Sequence, residues 1–260
     1  MPYSANDKFE DSMMTAQAMQ QLKLNASADH CSIAIHEIHA LGAASDRFGA
    51  QRPWYEVLVR PHAVSDGTPG HFIDTLYSQR PMVDTDLEIL ERAMAWLRHR
   101  REPTRINVNV HPGTLTDPLF VRLALERHRE TMQNGHSLCL ELIEFGQCES
   151  KHSLVENAKK LQSAGILIAL DDFGSRLNCF DLCAAGIVDI LKIDTSVVCG
   201  LDRDPNQRAI VECIQTLARG LKARVIAEGV ETRPQLDTLR QMEVNFAQGF
   251  FFHRPELLEI

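Results

Sequence analysis

Two adjacent carboxylates, Asp171 and Asp172, stand where the apolar run Ile166-Leu167-Ile168-Ala169-Leu170 stops. Such a run, continuous rather than alternating, reads as a buried parallel strand. Neighbouring strand residues point to opposite faces, so both aspartates reach one site only where the chain is already turning. Side by side they repel unless a cation or a proton lies between them. One such pair alone would be a solvated loop or a helix N-cap. Its recurrence along the chain points to chemistry instead. Tyr55–Arg60 carries Glu56 and Arg60 in a strand-like run, and Arg105–Val110 alternates so that Asn107 and Asn109 share a face. Leu138–Glu144 closes on Glu141 and Glu144, Ile190–Asp194 embeds Lys192, and Ala223–Gly229 ends beside Glu228.

Convergence of Glu56, Asn109, Glu141, Asp171, Asp172, Lys192 and Glu228 would gather five carboxylates and one ammonium, a formal charge of −4. Buried without compensation, such ions cost several kcal/mol each, and the carboxyls would take up protons instead. Two divalent cations balance the charge. The ligand set is all oxygen, without His or Cys, which selects Mg2+, Mn2+ or Ca2+ over zinc or copper. A bridging carboxylate, most simply Asp171, would hold two metals about 3.5–4 Å apart, the spacing of phosphodiester-cleaving centres. The chemistry implied is metal-dependent phosphodiester hydrolysis.

Eight strand candidates would position these residues: Ser32–Ile38, Tyr55–Arg60, Arg105–Val110, Leu138–Glu144, Ile166–Leu170, Ile190–Asp194, Ala223–Gly229 and Phe246–Phe252. Helix-like segments such as Leu154–Ala164 and Arg208–Gly220 lie between them, and that alternation implies parallel pairing. The count and the length of 260 residues predict an α/β fold, a TIM-like (β/α)8 barrel with its site at the strands' C-terminal ends. The connection Ala40–Pro53 lacks an amphipathic helix, whereas parallel neighbours need a crossover, so the first pair is predicted to be antiparallel. The expectation is one barrel domain with one antiparallel strand over residues 30–260. Residues 1–29 would form an N-terminal extension, helical over Asp11–Leu24.

Composition narrows the partners. Apolar residues at 44% and charged residues at 24% describe a globular chain with ample core. No apolar stretch approaches the roughly 18 residues of a membrane span, and residues 1–29 lack the pattern of a signal peptide. None of the seven cysteines forms a Cys-x-x-Cys pair and several lie in apolar runs, which argues for reduced thiols and a cytoplasmic setting. A net charge of −8 argues against general nucleic-acid binding. It leaves room for an anionic ligand wherever bound metal reverses the local sign.

The motifs, in this order, resemble the EAL-domain family of bacterial cyclic di-GMP phosphodiesterases over roughly Ile33 to Pro255. The signature Glu-x-Leu-x-Arg stands as Glu56-Val57-Leu58-Val59-Arg60, and Val108-Asn109-Val110 matches the asparagine motif. Glu141-Leu142-Ile143-Glu144, Asp171-Asp172-Phe173-Gly174, Lys192-Ile193-Asp194, Ala227-Glu228-Gly229-Val230-Glu231 and Gln248-Gly249-Phe250 follow. The resemblance implies that Glu56, Asn109, Glu141 and Asp171 bind one metal, while Asp171, Asp172 and Glu228 surround a second. Mg2+ or Mn2+ would support turnover and Ca2+ would inhibit it. Lys192 looks like the residue that contacts the nucleophilic water, and Glu228 like the general base. Arg60 would pair with a substrate phosphate, Gln248 would be a further substrate-side residue, and Glu144, Asp194 and Glu231 would support the ligands from behind. The reaction implied opens cyclic di-GMP to linear pGpG, and the family's habits allow a homodimer or a protein partner.

Plainer readings stand beside these. Asp194 is equally a helix N-cap, Asn107 a structural residue and His111 a loop histidine, and Phe246, Phe250, Phe251 and Phe252 read as barrel core. Ser175-Arg176-Leu177-Asn178 replaces the family's Thr-Gly-Tyr-Ser. His36-Glu37-Ile38 stands where Tyr-Gln-Pro is common, and a glutamate there would weaken guanine or phosphate contacts. Retention of every metal-binding position favours hydrolysis. The alternative is a catalytically weak or inactive EAL-type receptor or interaction module, and the motif order argues against an unrelated Mg2+-dependent barrel lyase.

Overall fold

The computed structural model describes residues 31–42, 52–61, 77, 81–143, 150–175 and 180–258. The helix expected at Asp11–Leu24, residue Glu144 and the segment Arg176–Asn178 lie outside the described residues. One sheet contains β1 (Cys31–Glu37), β2 (His39–Ala40), β3 (Trp54–Pro61), β4 (Arg105–Val110), β5 (Ser137–Leu142), β6 (Leu167–Phe173), β7 (Ile190–Ile193), β8 (Arg224–Ala227), β9 (Phe246–Ala247) and β10 (Glu256–Leu257). Strands β3 to β9 pair in chain order and in parallel. β1 is antiparallel to β3, from Ser32 opposite Arg60 to Glu37 opposite Tyr55, and β2 is antiparallel to β9. Because only Ile38 separates β1 from β2, one reversed stretch joins both ends of the parallel run and closes a barrel. The fold is α/β, a TIM-like barrel with one antiparallel strand, as its sequence predicts.

The helices among the described residues are α1 (Met82–Arg98), α2 (Pro118–Met132), α3 (Lys151–Ser163), α4 (Phe180–Ala184), α5 (Thr195–Val198), α6 (Pro205–Leu221) and α7 (Arg233–Gln241). Their starts are chemical. Asp117 and Asp204 cap α2 and α6 just before a proline, Ser150 caps α3, and Thr232 with Gln235 forms a capping box on α7. α3 and α6 therefore begin three residues earlier than apolar periodicity suggests, because their first turns are polar and cap-driven. Apolar faces such as Leu87, Leu90, Ala93, Met94 and Leu97 of α1 pack against the barrel's outer surface.

The last strand is shorter than predicted. Strand pairing stops at Ala247, and Phe250 to Phe252 turn back. Gly249 explains the stop: a Cβ there would lie 2.2 Å from Val230 O and 2.3 Å from Val230 N, so the chain crosses directly over the backbone that follows β8. Of the four phenylalanines expected in the core, Phe246 is buried and Phe252 packs at its edge, whereas Phe250 and Phe251 are exposed. Four residues bracketing one tight turn cannot all face the same interior.

Outside the barrel, α1 brings the fully buried Asp86 against the exit of β4. Tyr77 Oη donates to its Oδ1 at 2.6 Å, and the His111 N–H donates to its Oδ2 at 2.9 Å. His111 Nδ1 in turn accepts from the Gly113 N–H at 3.0 Å, a loop role that anchors the chain just past Asn109. Burial outweighs the hydrogen bonds to Asp86 and pushes its carboxyl up to about 7. The folded chain therefore holds this proton more tightly than the unfolded one, and stability present below about pH 4 is lost as pH rises to about 7. Asp86→Asn should remove that slope, about 1.4 kcal/mol per pH unit within the window. Urea unfolding of both chains across that range checks it, and parallel curves would show that Asp86 ionises like an ordinary aspartate.

Candidate metal centre at the barrel mouth

The site follows from strand periodicity. Ile38, Trp54, Cys139, Ala169, Ile190, Ile226 and Phe246 form a buried cluster across the barrel interior. Two residues further along the parallel strands stand Glu56, Glu141, Asp171, Lys192, Glu228 and Gln248, one layer closer to the mouth. On the reversed strand the same step runs backwards, from Ile38 to His36. Asn107 and Asn109 occupy successive same-face positions on β4.

Lys192 lies at the centre, fully buried. Its Nζ is 2.7 Å from Glu228 Oε1, 3.2 Å from Asp171 Oδ1 and 3.5 Å from Glu56 Oε1, and it also donates to Glu141 Oε1. The second Glu141 oxygen accepts from Asn107 Nδ2 at 3.0 Å. Glu56 accepts two amides, Asn109 Nδ2 at 3.2 Å and Gln248 Nε2 at 2.7 Å. Carboxylate oxygens of Glu56, Glu141 and Glu228 lie within 4.8 Å of one another, as do those of Asp171, Asp172 and Glu228. Glu228 thus belongs to both groups, whereas Asp171, expected as the bridge, belongs to the second.

A departure from regular pairing brings both aspartates to this mouth. The β6–β7 register shifts between Leu170 and Phe173, and Asp172 adopts φ 51°. Such a bulge re-aims a side chain that regular pleating would send to the opposite face. Glu228 is placed by a different contact: Gly229, at φ 66°, presses against Thr195 so closely that a Cβ would lie 2.3 Å from Thr195 Cγ2.

The electrostatics follow from this crowding. Burial alone would strip the Lys192 proton, but Asp171, Glu141, Glu228 and Glu56 hold the ammonium well above the ordinary lysine value. Burial drives the Glu141 and Glu228 carboxyls well up, and their carboxylate neighbours add to the rise against the opposing pull of Lys192. Glu56 goes the other way: burial is overcome by Lys192 and by the amides of Gln248 and Asn109. Partial desolvation, Asp171 and Asp194 lift Asp172 to about 6. Two buried acceptors, Asn109 Oδ1 and Gln248 Oε1, have no hydrogen-bond donor among the described residues. Unsatisfied oxygens beside surplus carboxylates fit a hard divalent cation.

The remaining candidates sit around this core. Gln248, Glu228 and Glu231 line a cleft of about 320 Å³ with His36, Glu56, Leu58, Thr195 and Phe250. Arg60 is half-buried, with Nη1 donating to Val59 O at 3.0 Å. Asp194 caps α5 by accepting from the Ser196 N–H at 2.8 Å, and its charge also reaches Asp172. At 36–38, His36 lines the cleft, whereas Glu37 is 3.6 Å from His39. The clue was available, since a reversed strand presents the residue two before the apolar anchor.

The family model of the EAL domain matches residues 49–255. This chain belongs to the EAL-domain family. It is 34% identical over 154 residues to the probable cyclic di-GMP phosphodiesterase PdeG of Escherichia coli, covering 59% of this chain and 30% of that protein. It is 29% identical over 226 residues to the cyclic di-GMP phosphodiesterase PdeB of Shewanella oneidensis, covering 85% of this chain and 26% of that one. The chain therefore spans less than a third of either relative. The FimX EAL domain from Pseudomonas aeruginosa, solved bound to c-di-GMP, superposes with a TM-score of 0.71 at 21% identity over 93% of this chain and 96% of that one. That likeness concerns the fold. Among the described residues, no helix of this EAL domain is long and apolar enough to cross a membrane.

Removing the central charge tests the electrostatic account of the EAL mouth. Lys192→Met should destabilise the metal-free protein at neutral pH by about 3–5 kcal/mol, the usual effect of deleting one partner of a buried ion pair. The deficit should shrink as pH falls, because the orphaned carboxyls protonate. Denaturant titrations at several pH values measure it. A deficit independent of pH would assign the effect of Lys192 to packing rather than charge.

Proposed function

We propose that this EAL domain hydrolyses cyclic di-GMP to linear pGpG at a centre holding two divalent ions, Mg2+ or Mn2+. The observation that carries this reading is the convergence of four carboxylates on one buried lysine, with Asp172 beside two of them and Asn109 and Gln248 oxygens that have no donor among the described residues. The family's relatives, named as cyclic di-GMP phosphodiesterases, support the substrate. Glu56, Asn109, Glu141 and Asp171 would hold one ion, and Asp171, Asp172 and Glu228 the other. Ions held there would supply positive charge to acidify an attacking water and offset charge on the phosphodiester oxygens.

The chain's own groups do the rest. Glu228, half-buried at the cleft, accepts a proton from the water as its oxygen forms the new bond to phosphorus. The bond from phosphorus to the ribose 3′-oxygen breaks, that oxygen takes up a proton from solvent water, and a 5′-phosphorylated linear dinucleotide is left. Lys192 keeps the carboxylates oriented and contributes fixed positive charge near that water. Arg60 offers a planar fork to a non-bridging phosphate oxygen. Glu144, Asp194 and Glu231 support the ligands, with Asp194 tying α5 to Asp172. Phe250, half-exposed at the cleft rim with the Arg254 guanidinium 4.7 Å from its ring centroid, presents an aromatic face suited to a purine. The cytoplasmic setting, with the thiols reduced, fits the bacterial messenger such an enzyme would consume.

Purified protein should convert cyclic di-GMP to pGpG with Mg2+ or Mn2+ and not with Ca2+, whose larger, looser coordination misplaces reacting oxygens. Millimolar Mn2+ should raise the melting temperature. Glu228→Gln should lower turnover by about 10²-fold or more, as for other acid–base groups. Nucleotide binding without product would favour the receptor alternative, and a wild-type rate in Glu228→Gln would remove the assigned base.

A further inference from the structure

Beneath the carboxylates, three buried side chains on three successive strands form a polar line. Trp54 Nε1 donates to Asn107 Oδ1 at 2.7 Å, and Asn107 Nδ2 donates to Glu141 Oε2 at 3.0 Å. Trp54 is 3% exposed, and Asn107 and Glu141 are 0% exposed. The line climbs because the strands are staggered: Trp54 pairs with Arg105, two residues before Asn107, and Asn107 pairs with Cys139, two residues before Glu141. Its lower end is fixed by packing. The Arg105 guanidinium lies 4.4 Å from the Trp54 ring centroid, and Phe246 meets the same ring edge-on at 4.8 Å.

The direction of the line follows from donor and acceptor chemistry. An indole N–H can only donate, so the asparagine must offer Trp54 its oxygen. Its NH2 is thereby turned towards Glu141, and Glu141 must offer that group a lone pair. With Lys192 holding Oε1 and Asn107 holding Oε2, neither carboxylate oxygen is free to rotate.

We propose that Trp54 and Asn107 act as a positioning relay that fixes the Glu141 carboxylate for metal binding. Neither residue touches the reacting atoms. The relay rests on the metal-centre reading above and adds two residues from the barrel interior to it. Partners behind a metal ligand matter because a carboxylate free to rotate must be ordered again on each binding event.

The test is calorimetric titration of the purified chain with Mn2+, read alongside the melting temperature of the metal-free protein. Asn107→Leu removes both hydrogen bonds and should weaken Mn2+ binding roughly 10–100-fold, the usual effect of losing such a partner. Trp54→Phe keeps an aromatic ring in the packed floor while freeing the amide to turn over, and should weaken binding in the same direction by roughly tenfold. A merely structural role would lower the melting temperature and leave Mn2+ affinity intact. Should Asn107→Leu fail to fold, Trp54→Phe decides. Unchanged affinity in the folded variants overturns the relay alone, whereas no Mn2+ binding by the unmodified chain overturns the metal centre and the relay with it.

Discussion

The barrel mouth is organised by one buried ammonium shared among four carboxylates. At about 3 Å and an effective dielectric near 20, a single pair attracts by about 5–6 kcal/mol. Taking each ion out of water costs several kcal/mol, so a single carboxylate would barely compensate Lys192. Glu56, Glu141, Asp171 and Glu228 together more than compensate it and leave a surplus of negative charge. Burial, with that surplus adding to it, shifts Glu141, Glu228 and Asp172 upward and gives them an appetite for protons. A divalent cation meets the same demand, so the imbalance that would weaken an ordinary core is what makes this one receptive to metal.

The arrangement depends on barrel closure. Glu56, Glu141, Asp171, Lys192 and Glu228 come from five strands, and they meet only because Cys31–Ala40 joins the two ends of the parallel run. The apolar layer below sets their height. Trp54, Cys139, Ala169, Ile190, Ile226 and Phe246 fill the interior, so the next inward residue on each strand rises to the mouth. A slip of one residue on β3, β5 or β7 would exchange Glu56, Glu141 or Lys192 for an uncharged neighbour, which specifies the register strongly.

Much of this was legible in the sequence because the side-chain period of a strand is two. Charged residues embedded in or closing apolar strand-like runs identified Glu56, Glu141, Lys192 and Glu228, and a sequence without amphipathic helical pattern after Ala40 pointed to the reversed strand. Relations that cross strands were not legible. The stagger that carries Trp54 under Asn107 and Asn107 under Glu141 is a property of the closed sheet, so Asn107 read only as structural. Pleat alternation from the inward Ile38 puts His36 at the cleft, a placement the motif comparison alone does not give. Phe250 and Phe251 read as core on hydrophobicity, but the close crossing at Gly249 turns them outward.

Asp171 and Asp172 mark where regular structure had to give way. A pleated strand offers one inward position for every two residues, yet this chemistry asks for two carboxylates in succession. The shifted β6–β7 register and the left-handed backbone of Asp172 resolve the conflict locally. Aspartate tolerates that conformation better than most residues, so the same side chain serves as ligand candidate and as hinge of the bulge. Ser175 Oγ donates to the Asp172 carbonyl at 2.9 Å and ties the bulge to the loop beginning there. Ser175, the first residue of the stretch that reads Ser-Arg-Leu-Asn in place of Thr-Gly-Tyr-Ser, is therefore attached to the backbone that aims Asp172. A change in that loop can reach the candidate centre through backbone geometry without altering any ligand.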